Sequence, residues 1–288
     1  MTLKVGLSVF PDLWAFIAAG FLPTIRAIWR RPSLLLSVSA ISREYMAHIW
    51  SSFGAGIDEN GREVKKGLIT PYAEGVVLDI GAGHGHSVHY LDRTKVTKYI
   101  ALEPSAAMRS HIRTHASEAG FFETDGSLLI LPYAAEDTQA ILSALSSLSP
   151  NSNSSAASSS ASQGPQIDTL ISILTLCTIP SPQQTLSSLV TKLLKPGGQL
   201  LYYEHVLNPR EDVAWWQRFW APVWQIPTDG CRLDRPTHLW VKEMTVRREV
   251  VGAEVEEENM WKEGSTWGKE GEAEDSLWWH QAGRYVKK

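Results

Sequence analysis

A chain of 288 residues with a formal net charge of −4 can bury a full core, and it carries no overall positive field that would draw in nucleic acid. Its two cysteines, Cys177 and Cys231, lie far apart, which argues against a disulfide scaffold and any Cys-rich zinc site, and they fit a reducing, cytosol-facing compartment. The twelve tryptophans gather near the N-terminus and after Ala214, where such residues suit an apolar pocket or a membrane interface.

Val5 to Trp29 is the most apolar stretch, interrupted by Pro11, Asp12, Pro23 and Arg26. Its longest uncharged run, Leu13 to Ile25, is shorter than the roughly 20 residues of a spanning helix. A signal peptide is poorly matched, with one Lys and no clear cleavage site. Arg26, Arg30 and Arg31 then alternate with Ile25, Ile28 and Trp29 ahead of Leu34, Leu35 and Leu36. Two readings stand: a segment lying in a membrane interface, or a helical cap packed over a cleft. Ile41, Tyr45, Ile49 and Trp50 predict one more helix ending near Gly54, and the polar Ile57 to Lys66 reads as a loop. Residues 1–66 are thus expected to form an apolar cap or membrane-associating segment, and 67–288 the main domain.

Val76 to Ile80 is short, β-branched and nearly continuous in hydrophobicity, as a buried parallel strand is. Asp79 is its one acid. Gly81-Ala82-Gly83-His84-Gly85 follows, where alternate glycines permit a tight turn and let a ligand press on the backbone. A helix is expected from His86 to Leu91, with free N–H groups at its start. Nicotinamide and flavin folds use Gly-x-Gly-x-x-Gly. Here His86 stands where their third glycine would be, which weakens an oxidoreductase reading. Lys98 to Glu103 reads as the second strand. Its terminal acid lies roughly 20 residues past the loop, where a carboxylate grips ribose hydroxyls in nucleoside-binding α/β folds.

Leu128 to Leu131 is a short third strand, followed by the loop Pro132 to Asp137. The Ser-rich stretch within 145–166 holds too few apolar residues to offset the entropy of ordering, so it reads as a flexible surface insertion. Ile167 to Leu174 is the fourth strand. Thr175-Leu176-Cys177-Thr178 leaves it at the cleft edge, because ligands in open parallel sheets bind beyond the C-terminal strand ends. Ser181-Pro182 opens a helix with the stripe Leu186, Leu189, Val190, Leu193 and Leu194. Lys195-Pro196-Gly197-Gly198 stops it, and Gln199 to Glu204 is the fifth strand. Further on, Pro236 to Met244 reads as a helix, and Val246 to Val255 pairs with Ala282 to Val286 as the last two strands. The acidic segment from Glu256 to Asp275 reads as a loop or hairpin over the substrate.

His205, at a strand end facing the cleft, is the best general-base candidate. Glu204 either orients it or faces the sheet, and Asp229 is the second candidate, with a turn-forming role as its alternative. Cys177 and Cys231 read as packing residues. His84, His86 and His89 read as solvated helix residues rather than metal ligands, and no metal is expected.

These motifs together resemble the class I S-adenosylmethionine-dependent methyltransferases. The resemblance implies a Rossmann-like α/β fold: a seven-stranded, mostly parallel sheet with helices on both faces. It implies S-adenosyl-L-methionine as cofactor, with Asp79 near the cationic amino end of the methionine. Gly81, Ala82, Gly83, Gly85 and His86 would form the loop under the ribose. Glu103, Pro104, Ser105 and Met108 match the second motif, and Ala135, Glu136 and Asp137 frame the adenine, with Thr175 and Leu176 closing the site. One departure is that the usual adenine acid falls on Ala134. Glu204-His205-Val206, the aromatic run Trp215 to Trp224, Asp229-Gly230-Cys231 and the Thr175 corner resemble the methyltransferase-like 7 group of membrane-associated thiol S-methyltransferases. That group implies a small lipophilic thiol acceptor, of secondary-metabolite or xenobiotic type. It also implies peripheral membrane contact at the cytosolic face of endoplasmic reticulum or lipid droplets. An O-methyltransferase of a small natural product, and a cofactor-binding protein that does not transfer methyl, such as a cyclase or binding module, remain open. No nucleic-acid partner is expected, and the sequence sets no oligomeric state.

Overall fold

The computed structural model describes residues 3–147, 167–248 and 256–288. The Ser-rich stretch at 148–166 and the segment 249–255 lie outside the described residues. Four helices come first: α1 (Leu3–Leu7), α2 (Val9–Arg30), α3 (Val38–Asn60) and α4 (Arg62–Ile69). A 3-10 turn, Pro32–Leu36, separates α2 from α3. Ser37 starts α3 by accepting the Ala40 N–H on its hydroxyl at 3.3 Å, as an N-cap serine does. The expected stop at Gly54 is overrun, because nothing at Gly54 breaks the helix and the chain turns only at Gly61. The loop read at Ile57 to Lys66 is therefore helical on both sides of Gly61.

The sheet strands are β1 (Gly75–Ile80), β2 (Val96–Leu102), β3 (Leu128–Leu131), β4 (Ile167–Ile173) and β5 (Leu194–His205). Helices α5 (Ala106–Glu118), α6 (Thr138–Ser147) and α7 (Pro182–Lys192) cross over between them. After β5 come α8 (Glu211–Trp224), α9 (Thr237–Lys242), β6 (Thr245–Arg248), β7 (Glu256–Asn259), β8 (Trp261–Gly268) and β9 (His280–Lys287). The main sheet runs β3-β2-β1-β4-β5-β9-β8, parallel through β5 and antiparallel at β9 and β8. This is the expected seven-stranded, mostly parallel architecture.

Alternation in β1 and β2 divides the core. Leu78, Ile80, Ile100 and Leu102 face one apolar cluster with residues of α6 and α7. Val77, Tyr99 and Ala101 face the other with residues of α4 and α5. A third cluster joins α1 and α2 to α8 through Val5, Val9, Val213 and Trp224.

Two expectations are corrected. The helix after the glycine loop is only a five-residue 3-10 turn, His86–Tyr90, since β2 begins at Val96 and leaves no length for more. β9 pairs with β5 and β8, whereas Val246 pairs with Glu258 in a separate β6-β7 hairpin. High polarity in β7 and β8 hid their strand character: Glu256 to Glu258 and Lys262-Glu263 read as loop, yet Trp261 is buried.

The apolar N-terminal element is also longer than its sequence suggested. Leu3–Arg30 is helical over 28 residues and, by length and composition, apolar enough to cross a membrane. Asp12 interrupts the run in sequence, but its carboxylate accepts the Trp278 indole N–H at 2.9 Å. One face of α2 packs inward through Asp12, Ala15 and Phe16. The other leaves Trp14 72% and Trp29 83% exposed.

Candidate active site

The glycine loop holds three left-handed residues, Gly81, Gly83 and Gly85, at φ 62°, 57° and 85°. Each is approached so closely that a side chain would clash or force its neighbour to shift. A Cβ would lie 2.4 Å from Thr175 Cγ2 at Gly81, 2.9 Å from Trp50 Nε1 at Gly83, and 3.0 Å from Ile112 Cα at Gly85. Only glycine satisfies both demands. Glu103, at the end of β2, reaches across to this loop. Its two oxygens accept the Gly83 and Ser105 N–H groups, each at 2.8 Å. Every carboxylate oxygen then keeps acceptor capacity for a ligand hydroxyl. Burial pushes the Glu103 carboxyl up to about 7, against the pull of those two N–H groups.

Asp79 is placed differently from expectation. It is 1% exposed and accepts the Tyr99 hydroxyl at 2.8 Å, beneath the loop. Strand alternation explains this: Asp79 shares the face of Val77 and Tyr99. Its carboxyl is bonded to Tyr99 and Ser87 and closed to solvent. Burial raises its carboxyl to about 7. His86 packs beside Gly54 and Trp50, and both its Nε2 and the Trp50 indole N–H are buried without a partner. Trp50 went unread as a site residue, since nothing in a helical tryptophan's spacing announces a loop contact.

The remaining predicted donor-site residues divide. Thr175 packs on Gly81, and its hydroxyl lies 3.1 Å from the Ile173 carbonyl and 3.4 Å from the Gly81 carbonyl, either of which can accept from it. Ala82 lines a small cavity of about 30 Å³ with Gly81, His86 and Trp50. Met108 is buried at the first turn of α5, while Pro104 is exposed with its carbonyl accepting from Arg109 at 2.8 Å. Ala135 is committed to the apolar core. Glu136 and Asp137 are exposed, with the Asp137 N–H closing a turn on the Ala134 carbonyl at 3.1 Å. Neither has a bond to the glycine loop among the described residues, so their side chains are not gathered into this site.

Next to the loop lies a cavity of about 540 Å³. Its walls are mostly apolar and aromatic, with Phe16, Phe53, Trp224 and Trp278 among them. Trp50, Ile57 and Leu174 line both this cavity and the small one at the glycine loop. Its polar lining includes His205, Cys177 and Cys231 and the Glu272–His280 pair, besides Asp12, Asn60 and several hydroxyl residues. His205 Nε2 lies 3.1 Å from Cys231 Sγ, which lies 3.4 Å from Cys177 Sγ. All three residues are buried. The Cys177 contact and the His205 imidazole hold the Cys231 thiol far below its usual range, while the same contact and burial push Cys177 up. Burial opposes charge on His205, yet Cys231 and Glu204 outweigh it and raise the imidazole. His205 Nδ1 is buried with no partner.

Glu204 is not part of the cavity lining. It is fully buried, and one oxygen accepts Ser172 Oγ at 2.7 Å, the Thr175 N–H at 3.0 Å and the Leu176 N–H at 3.1 Å. It therefore fixes the corner leaving β4 and does not touch an acceptor, which corrects the catalytic assignment. Leu176 belongs to that corner through its N–H. Asp229 is likewise absent from the cavity wall, although Thr228 and Cys231 flank it there. At φ 50°, ahead of Gly230 at φ 86°, it forms the turn, and its charged neighbours are Arg43 and Glu103. The cysteines, read as packing residues, are instead the partners of His205. Residues 177, 205 and 231 follow no short spacing, and only the strand ends bring them together. The histidines near the glycine loop pair by ring contact, His84 with His111 at 4.1 Å and His86 with His115 at 4.7 Å.

Residues 44–240 match the model of a family described as a methyltransferase domain. The chain belongs to this family. Rat thiol S-methyltransferase TMT1B (Rattus norvegicus) is 42% identical over 72 residues, covering 25% of this chain and 29% of that protein. Human thiol S-methyltransferase TMT1A (Homo sapiens) is 32% identical over 73 residues, 24% of this chain and 28% of that protein. The matched segment thus spans under a third of the length of these relatives. An O-methyltransferase family protein from Burkholderia thailandensis shares the fold, with a TM-score of 0.50 and 11% identity over 92% of this chain and 70% of that one.

S-adenosylmethionine is the cofactor of such a domain, and the residues here fit it. The side-chain-free loop, the buried Glu103 carboxyl beside it, and the unpartnered Trp50 and His86 nitrogens are the groups that would meet it.

Proposed function

We propose that the protein transfers the methyl group of S-adenosylmethionine to the thiol of a small lipophilic molecule. When bound, the cofactor supplies a methyl already activated on a sulfonium, so the protein must place a nucleophile in line and keep water away. One observation carries the reading: Trp50, Ile57 and Leu174 form a wall common to the glycine-loop cavity and an aromatic chamber lined by His205 and Cys231. Apolar walls favour a lipophilic acceptor, and the few polar groups would receive its reactive end. A thiol suits this setting because it ionises closer to neutrality than a hydroxyl. The named activity of the partial relatives points the same way.

The exposed face of α2, with Trp14, Phe21, Leu22 and Trp29 beside Arg26, Arg30 and Arg31, supports peripheral contact with an anionic membrane surface. A lipophilic acceptor dissolved in that membrane would then meet a chamber roofed by the same helix.

The test is an incubation with methyl-labelled donor and matched series of alkyl thiols, phenols and carboxylic acids. Label is expected on the thiols at rates at least about tenfold above the oxygen acceptors. Label on oxygen alone would establish an O-methyltransferase. Tight donor binding with no label on any acceptor would indicate a cyclase or binding module.

A further inference from the structure

We propose that Cys177, His205 and Cys231 form a three-ligand zinc site whose open fourth position takes the acceptor thiol. This rests on the thiol reading above and deepens it, by naming what ionises the acceptor. Cys177 stands just beyond β4, His205 at the end of β5, and Cys231 just past the Thr228–Gly230 turn. Their ligand atoms all lie within 4.8 Å of one another.

The separations match a metal better than the alternatives. A tetrahedral zinc with Zn–S of about 2.3 Å and Zn–N of about 2.0–2.1 Å places its ligand atoms about 3.5–3.8 Å apart. The S···S distance is 3.4 Å and the His205–Cys231 N···S distance 3.1 Å, so these two pairs need to spread by only a few tenths of an ångström, and the third pair lies within 4.8 Å. A disulfide would require the sulfurs to close to about 2.05 Å and would leave the imidazole beside Cys231 without a purpose. Simple packing would not aim a ring nitrogen and two sulfurs at one point.

Three protein ligands with an open position is the arrangement of reactive zinc sites, whereas structural sites are closed by a fourth. Among the described residues no other His, Cys or carboxylate joins this cluster. All three residues line the 540 Å³ chamber, so the vacant direction has room for a ligand from it. Charge is balanced too. Two thiolates would match the charge of Zn²⁺, and the neighbouring Arg235 guanidinium is fixed by the Leu176 and Ile179 carbonyls at 2.5 and 2.6 Å. The acceptor R–SH displaces the metal-bound water, the Zn–S bond forms, and the S–H proton leaves with that water as hydronium. The bound thiolate keeps a lone pair for the methyl carbon. No oxidant or reductant is involved, and the metal rather than the imidazole ionises the thiol.

The experiment uses the full chain purified under reducing conditions, loaded with zinc(II) and dialysed. About one zinc per chain is expected to remain. The cobalt(II)-substituted protein should show thiolate-to-metal charge-transfer absorption that changes when thiophenol is added. The Cys177→Ser, Cys231→Ser double variant should retain no zinc while still binding adenosylhomocysteine, which reports that it is folded. Should that variant fail to fold, wild type stripped by a chelator and reloaded provides the comparison: stripping should abolish thiol methylation, and zinc should restore it. Zinc retention no greater than in the double variant, or full thiol methylation by the stripped chain, overturns the site. So does a cobalt spectrum indifferent to thiophenol. Methylation of phenols instead of thiols with zinc still bound would sink the thiol reading and leave the metal site standing.

Discussion

At the scale of single residues, Glu103 and Glu204, two of the buried acids at strand ends, have different work, and substitution should separate them. Glu204 holds three donors of the β4 corner on one oxygen. Glu204→Ala strands them in the interior and is expected to destabilise the fold by about 2–5 kcal/mol. Glu204→Gln keeps an acceptor oxygen and should cost less than half as much. Denaturant melts of both variants check the ordering, and equal losses would contradict it.

Glu103 should instead reveal itself through pH. Its carboxyl titrates near 7 in the ligand-free fold, above the ordinary 4.5, because burial disfavours its charge. Between those values the folded chain holds a proton that the unfolded chain has released, so this group's contribution to stability falls as pH rises through that window. Cofactor binding runs the other way. Accepting ribose hydroxyls favours the carboxylate, so adenosylhomocysteine affinity should rise about tenfold per pH unit up to 7 and then level off. Titration calorimetry from pH 5.5 to 8.5 measures it, and Glu103→Gln should flatten the slope. An unchanged slope in that variant would remove Glu103 from the ribose contact.

At the scale of elements, most of the sheet could be read directly. β1 to β4 are short apolar runs bounded by turns, and their residues are buried on both faces, so the pattern had one solution. The edge strands were harder. β8 is mostly charged and small residues because much of it meets solvent, and a polar strand is not distinguished from a loop by hydrophobicity. The acceptor site was the least legible part. Its chemistry comes from a corner, a strand end and a turn that the sequence keeps apart, whereas Gly81 to Gly85 and Glu103 belong to one compact β1–β2 unit.

The α2 helix and the turn after it make a further element-scale prediction. Trp29 is 83% and Leu36 88% exposed, so serine at both positions disturbs no buried contact. The Trp29→Ser, Leu36→Ser double variant should bind anionic phosphatidylserine vesicles at least about tenfold more weakly than wild type, given about 1.5–3 kcal/mol per large apolar side chain buried. Methylation of a water-soluble thiol should be unaffected. Vesicle co-sedimentation decides, and equal binding by both proteins would restrict α2 to its role as a roof.

At the scale of the whole molecule, the N-terminal helices and the sheet domain share their walls. The Trp278 indole donates to Asp12, the Trp220 indole to the Gly6 carbonyl at 2.8 Å, and Ser42 Oγ to the Ile226 carbonyl at 3.0 Å. The most consequential link is Trp50 of α3, which rests on Gly83 and also lines the acceptor chamber. A ligand on the glycine loop must meet that indole, so donor binding should tighten α3 along with the loop. At about ten times its Kd, adenosylhomocysteine stabilises the bound state by about 1.4 kcal/mol, or about tenfold in exchange rate for amides that open with the site. Hydrogen exchange should therefore slow by about that factor in 45–60 as well as in 81–85. In Trp50→Ala the loop should keep its protection while α3 loses it. Slowing confined to the loop in the wild-type protein would mean that the roof of the acceptor chamber is indifferent to the donor beneath it.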